Sequence, residues 1–151
     1  MDPTKFEEIS WLEGHDLTKI NYSLLKIQLS LSEETLSKAN ALIYRVKNLS
    51  LYNNNFDIYE LAGMYLESVS QGHIFLDGNK RTSVLAMVSF LKINGYEINK
   101  NNRKDIEADL AQLALDSATH QIDYSNIALF VSKQAYVQPT NNNVKTIKHH
   151  R

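Results

Sequence analysis

Apolar residues recur along this chain at intervals of three and four, the spacing that lines one face of an α-helix. Leu36, Ala39, Leu42, Ile43 and Val46 form one such stripe, running to about Asn48 behind a Ser30–Glu33 pair with the spacing of a capping box. Ile58, Leu61, Ala62, Tyr65, Leu66 and Val69 form a second, on a helix expected from about Phe56 to Gln71, with Gly72 as the natural residue just past its end. A third begins near Asn79 and carries Val84, Leu85, Met87, Val88, Phe90, Leu91 and Ile93. It is apolar around most of its circumference, which predicts a buried central helix, and Asn94-Gly95 ends it. Two further amphipathic stretches follow, over 104–117 and 124–136, the latter capped by Asp123 or Ser125.

The N-terminal signal is less clean. Asp2-Pro3 reads as an N-cap and first turn, with Gly14 as the stop of that helix. Residues 15–31 fit two periods: Ile20, Tyr22 and Leu24 alternate as in a strand, whereas Leu24, Leu25, Ile27, Gln28 and Leu31 fit a helical face. Asn53-Asn54-Asn55 is a loop, and the chain after Pro139 has neither periodicity nor acids and reads as disordered. No repeat and no linker interrupts the pattern. The expected fold is all-α.

Composition narrows the function classes. The chain has 151 residues, enough for one domain with one sizeable core. Sixteen basic against 17 acidic residues leave a net charge of −1, which argues against nucleic acid as a partner. The absence of cysteine excludes disulfides, iron–sulfur clusters, thiolate zinc sites and Cys nucleophiles. Apolar runs such as Ile127-Ala128-Leu129-Phe130-Val131 are far too short to span a membrane, and the acids near the N-terminus are unlike a signal peptide. A cytoplasmic location is the expectation.

One interhelical connection has abnormal polar content. Gly72-His73-Ile74-Phe75-Leu76-Asp77-Gly78-Asn79-Lys80-Arg81 places an imidazole, a carboxylate, an amide and two cations just where the third helix starts. Backbone N–H groups at a helix start lack intrahelical partners, and the macrodipole adds positive charge there. Lys80 and Arg81 oppose that dipole, so a bound anion is the simplest reason for them, and a phosphate-rich ligand fits. Asp77 then suits a Mg²⁺ held by one carboxylate plus phosphate oxygens. His73 supplies an imidazole, the side-chain type best suited to take a proton from a hydroxyl at neutral pH. Phe75 is expected to pin the loop to the core. These are the parts that phosphoryl or nucleotidyl transfer to a hydroxyl requires.

The same segment closely resembles the Fic/Doc signature H-x-F-x-[DE]-[AG]-N-[GK]-R, matched by His73, Phe75, Asp77, Gly78, Asn79, Lys80 and Arg81. Ala41 to Val46, the helix ending at Gln71, and Thr82-Ser83-Val84-Leu85 through Tyr96 look like the Doc (death-on-curing) branch. The resemblance implies a Fic/Doc-like helical bundle over 39–136, preceded by a helical extension over 1–38 and followed by a disordered tail over 137–151. It also implies roles: His73 as catalytic base on a protein hydroxyl, Asp77 on Mg²⁺, and Gly78, Asn79, Lys80 and Arg81 around the phosphates of ATP. Lys80 stands where AMP-transferring Fic proteins typically have a second Gly and Doc proteins have Lys. That points to transfer of the γ-phosphate to elongation factor Tu, with AMP transfer as the alternative and an idle binding module as the remaining one.

Control has two readings. Ile9-Ser10-Trp11-Leu12-Glu13-Gly14 partly matches a self-inhibitory helix, [ST]-x-x-x-E-[GN], whose Glu blocks the phosphate-binding Arg, but Ile9 stands where Ser or Thr belongs. The favoured reading is a separate antitoxin whose segment folds as an amphipathic helix into a groove near residues 39–48, anchored at Tyr44, Tyr52 and Phe56.

Overall fold

The helical spacing becomes six α-helices and a small two-stranded ribbon over residues 9–52, 55–98 and 106–138, which are the residues that the computed structural model describes. The helices are α1 (Gly14–Leu25), α2 (Glu33–Tyr52), α3 (Ile58–Gly72), α4 (Asn79–Ile93), α5 (Ile106–Ala118) and α6 (Tyr124–Gln134), with a 3₁₀ turn at Gln28–Leu31. The ribbon pairs β1 (Tyr96–Ile98) with β2 (Ala135–Val137) in antiparallel register, Tyr96 opposite Val137. The fold is all-α, as expected, and the ambiguous 15–31 segment is helical over most of its length.

The core gathers around α3 and the inner side of α4. Ile58, Leu61, Ala62, Tyr65, Leu66 and Val69 are completely buried, and α3 packs against α2, α4, α5 and α6. Helix α4 buries Thr82, Ser83, Ala86, Met87, Phe90 and Leu91 but leaves Leu85 and Ile93 exposed. The more completely enclosed helix is therefore α3. The apolar outer side of α4 lines a groove instead. Aromatic rings tie the two helices together: Tyr65 and Phe90 lie 4.5 Å apart between centroids, with Trp11 a further 5.8 Å from Phe90. At Gly63 a β-carbon would meet the Tyr124 carbonyl oxygen at 2.5 Å, so α3 and the start of α6 touch backbone to backbone.

Several boundaries differ from the sequence reading, each for a tertiary reason. Gly14 opens α1 and does not stop a preceding helix; it is pressed against α2, where a β-carbon would clash with Asn40. The preceding residues are clamped to the core, since Asn94 accepts from the Ser10 N–H and donates to the Ser10 carbonyl. The buried Tyr65 hydroxyl accepts from the Leu12 N–H at 3.2 Å, and burial pushes that phenol's pKa up. Ser30 does not cap α2. Its hydroxyl is drawn inward to Asn21, and Ser32 accepts from the Thr35 N–H in its place. Helix α2 continues to Tyr52, four residues beyond the expected end, although its apolar stripe stops at Val46. Residues 1–8, 53–54, 99–105 and 139–151 lie outside the described residues, with most of the expected first helix and most of the tail; at the tail's expected start Val137 ends β2, so that position is ordered.

Candidate active site

The polar connection joins the end of α3 to the start of α4. Gly72 is the last helical residue, and the left-handed stop falls on His73, with φ 50° and ψ 39°. A non-glycine residue in that region is uncommon and marks a constrained turn. His73 is exposed and helps line a pocket of about 330 Å³ with Leu29, Thr35, Lys38 and Leu76. Phe75, as expected, is a buried anchor. The Asn79 amide closes the turn above it, accepting from the Phe75 N–H at 3.1 Å and donating to the Phe75 carbonyl at 2.9 Å. That side chain holds the shape of the loop; it does not cap the helix.

Neither Asp77 nor Asn79 takes the N-cap position. Gly78 does, in the left-handed region at φ 76° and without any side-chain cap. The helix ladder starts when the Thr82 N–H reaches the Gly78 carbonyl at 2.9 Å. The N–H groups of Asn79, Lys80 and Arg81 therefore have no partner within the helix. Gly78 is required twice over, by its φ and because a β-carbon would sit 2.5 Å from Leu25 Cδ1. One Asp77 carboxylate oxygen accepts from the Gly78 N–H at 2.7 Å. Asp77, Lys80 and Arg81 are all exposed.

The arrangement can bind an anion. Three free N–H groups, the positive end of α4 and two cations converge where no acid caps the helix. The cations also border an apolar groove of about 530 Å³, lined by Leu24, Val84, Leu85, Val88 and Leu110. His73 and the cations thus serve two depressions on either side of one loop. Among the described residues no cluster of three or more His, Asp or Glu side chains could enclose a metal by itself. A single carboxylate fits Mg²⁺, which keeps water and phosphate oxygens as its other ligands.

A helical bundle whose inner helix opens on H-x-F-x-D-G-N-K-R defines the class: the chain belongs to the Fic/DOC family, whose family profile matches residues 7–91. Its similarities fall on the Doc side. It is 34% identical over 91 residues to "Protein kinase doc" of Escherichia phage P1, a stretch covering 60% of this chain and 68% of that protein. It is 35% identical over 72 residues to "Toxin Doc" of Mycolicibacterium smegmatis, covering 47% of this chain and 52% of that protein.

The structure places the residues named in the two readings of control, and a groove lies beside residues 39–48. Glu13 lines a separate groove with Tyr44, Lys47 and Leu51, at the opposite end of α1 from the signature loop, whereas Arg81 lines the groove beside α4. Eight residues of helix, roughly 12 Å, separate Glu13 from the level of Asn21 beside the loop. Of the three expected aromatic anchors, Tyr44 lines that Glu13 groove, Tyr52 is 93% exposed, and Phe56 is packed edge-on against Tyr124. The sequence reading also passed over Asn21, which the structure places against the loop from below. Its signal was a polar residue in the inward row Leu17–Asn21–Leu25 of an otherwise amphipathic helix.

Proposed function

We propose that this protein is a Doc-like toxin that transfers the γ-phosphate of ATP to a hydroxyl of a translation factor of the elongation factor Tu class. The observation that carries the reading is the uncapped, doubly cationic start of α4, which follows an exposed His73 by six residues on one constrained turn. The similarity to a protein named as a kinase supports it. In this reading the free N–H groups at 79–81, Lys80 and Arg81 hold the phosphates and take up charge as it develops on the transferring group. His73 takes the proton as the target oxygen attacks the γ-phosphorus, the bond to the β-phosphate oxygen breaks, and ADP leaves. Asp77 would hold Mg²⁺, which would supply positive charge against the phosphates. Asn79 and Phe75 keep the loop in shape.

The test is to incubate the protein with purified elongation factor Tu and ATP labelled at either the α or the γ position. Protein-bound γ label supports the reading. Bound α label would replace it with AMP transfer, and no bound label from either would end it for this target. Lys80→Gly sharpens the result: γ transfer should fall, since the kinase pose is assigned to that cation.

Control by a separate antitoxin belongs to the same reading. The groove beside Lys80 and Arg81 is larger and more apolar than the surface around Tyr44, and it suits an acidic amphipathic helix laid along α4. Leu85→Asp should then leave toxicity intact while abolishing rescue by a co-expressed antitoxin.

A further inference from the structure

Beneath the signature loop lies a buried polar cluster that the transfer chemistry does not use. Asn21, on the inner side of α1, is 1% exposed, Ser30 is 4% and Thr82 is 0%. All the donor and acceptor sites that matter on the Asn21 amide are engaged. Its Nδ2 group donates to the Asp77 carbonyl at 2.8 Å and to the Thr82 hydroxyl at 3.1 Å. Its Oδ1 accepts from the Ser30 hydroxyl in the 3₁₀ turn. A buried amide in an apolar surround costs several kcal/mol unless it is satisfied, so a fully bonded one fixes the groups it binds.

The groups it binds flank the anion site on both sides in sequence. A trans peptide is planar, and its C=O and N–H point in opposite directions. Drawing the Asp77 carbonyl inward to Asn21 therefore aims the Gly78 N–H outward, where it meets the Asp77 carboxylate. One turn further on, the same amide holds Thr82, the first residue whose N–H enters the α4 ladder. Leu25, one turn along α1 from Asn21, closes the space beside Gly78. No other residue type serves as well. Asp would set a carboxylate against the Asp77 carbonyl, Leu would offer no donor, and Gln would reach one carbon too far.

We infer that Asn21 is a positioning residue for the transfer reaction: with Ser30 and Thr82 it sets the orientation of the Asp77–Gly78 peptide and hence the geometry of the anion site. It is not a catalytic residue, since it is buried behind the loop. The inference rests on the phosphotransfer reading for its kinetic consequence, but its structural half stands apart from it.

Two measurements on the full chain separate these halves. The first is amide hydrogen exchange at Phe75, Gly78 and Thr82 in Asn21→Leu, Thr82→Val and Ser30→Ala. Exchange should accelerate in all three, most in Asn21→Leu and least in Ser30→Ala. The second is transfer of γ label from ATP, read as kcat and KM. A misplaced anion site should lower kcat by on the order of a hundredfold in Asn21→Leu while KM for the protein substrate stays within about twofold. Thr82→Ser, which keeps the acceptor, should recover most of what Thr82→Val loses. Lower melting temperature with exchange at the loop and kcat both unchanged would show that Asn21 merely stabilises the bundle, and would overturn the inference. If Asn21→Leu does not fold, Thr82→Val and Ser30→Ala carry the same test. Absence of transfer by the unsubstituted chain would refute the phosphotransfer reading alone, and the exchange result would still decide the role of Asn21.

Discussion

Helices α4 and α6 begin in opposite ways. At α6 every early N–H is answered: Asp123 accepts from Ser125 and Asn126, Glu67 reaches across from α3 to accept from Tyr124, and the Asn126 side chain accepts from Asp123 in return. At α4 the cap is a bare glycine and the first turn carries Lys80 and Arg81. Both starts belong to one bundle and are subject to the same macrodipole, and only one has been neutralised from within. A helix end finished for stability takes acids. One left open, with two cations in its first turn, is the feature on which the proposed phosphate site rests.

The largest effect that tests this contrast lies just ahead of α4. His73→Ala should reduce transfer by about a hundredfold to ten-thousandfold with no loss of melting temperature, because the side chain is exposed and off the core. Full transfer by the variant would remove His73 from the site. Next in size, Gly78→Ala should cost about 1–2 kcal/mol in denaturant unfolding, from the left-handed backbone, with any push against Leu25 adding to it. It should also weaken transfer. An equally stable Gly78→Ala chain would mean that the loop relaxes freely.

The closed start predicts a smaller change, confined to stability. Asp123→Ala should cost about 0.5–1 kcal/mol, the low end for a lost cap because the carboxylate is exposed, and leave transfer untouched. The Ser125 hydroxyl, with backbone N–H groups, holds the Asp123 carboxyl below its usual range. Its contribution is therefore present above the unfolded carboxylate pKa and lost as pH falls through the lower folded value. The difference between wild type and Asp123→Ala in thermal melts should shrink in acid. A gap that widened in acid would reverse the assigned sign. The smallest effect reverses the usual direction of a mutation. Lys80→Glu should stabilise the chain by about 0.3–1 kcal/mol by matching the α4 dipole, while greatly weakening ATP binding measured by calorimetry. Destabilisation would show that Lys80 is held by contacts of its own.

The sequence made α2, α3, α4 and α6 legible because each carries a long apolar stripe with a cap or stop near its end. The loop stood out as well, since an imidazole, a carboxylate and two cations fall within nine residues. What escaped was whatever depends on partners far along the chain. Gly14 looked like a stop until α2 was seen pressed against it, and Ser30 looked like a cap until Asn21 drew its hydroxyl inward. The outer row of α4 looked like core, yet Leu85 is open to a groove. Periodicity reports that a side is apolar without saying what covers it.

The separation between Asn21 and Thr82 also bears on how the chain is made. The amide and the hydroxyl that it binds are sixty-one positions apart in sequence. At about 5–20 residues per second a ribosome needs roughly 3–12 s to pass from one to the other. Until then Asn21 can meet Ser30 but not Thr82, and the signature turn that it holds is not yet complete. Contacts this far apart close late in folding, after the local helices have formed.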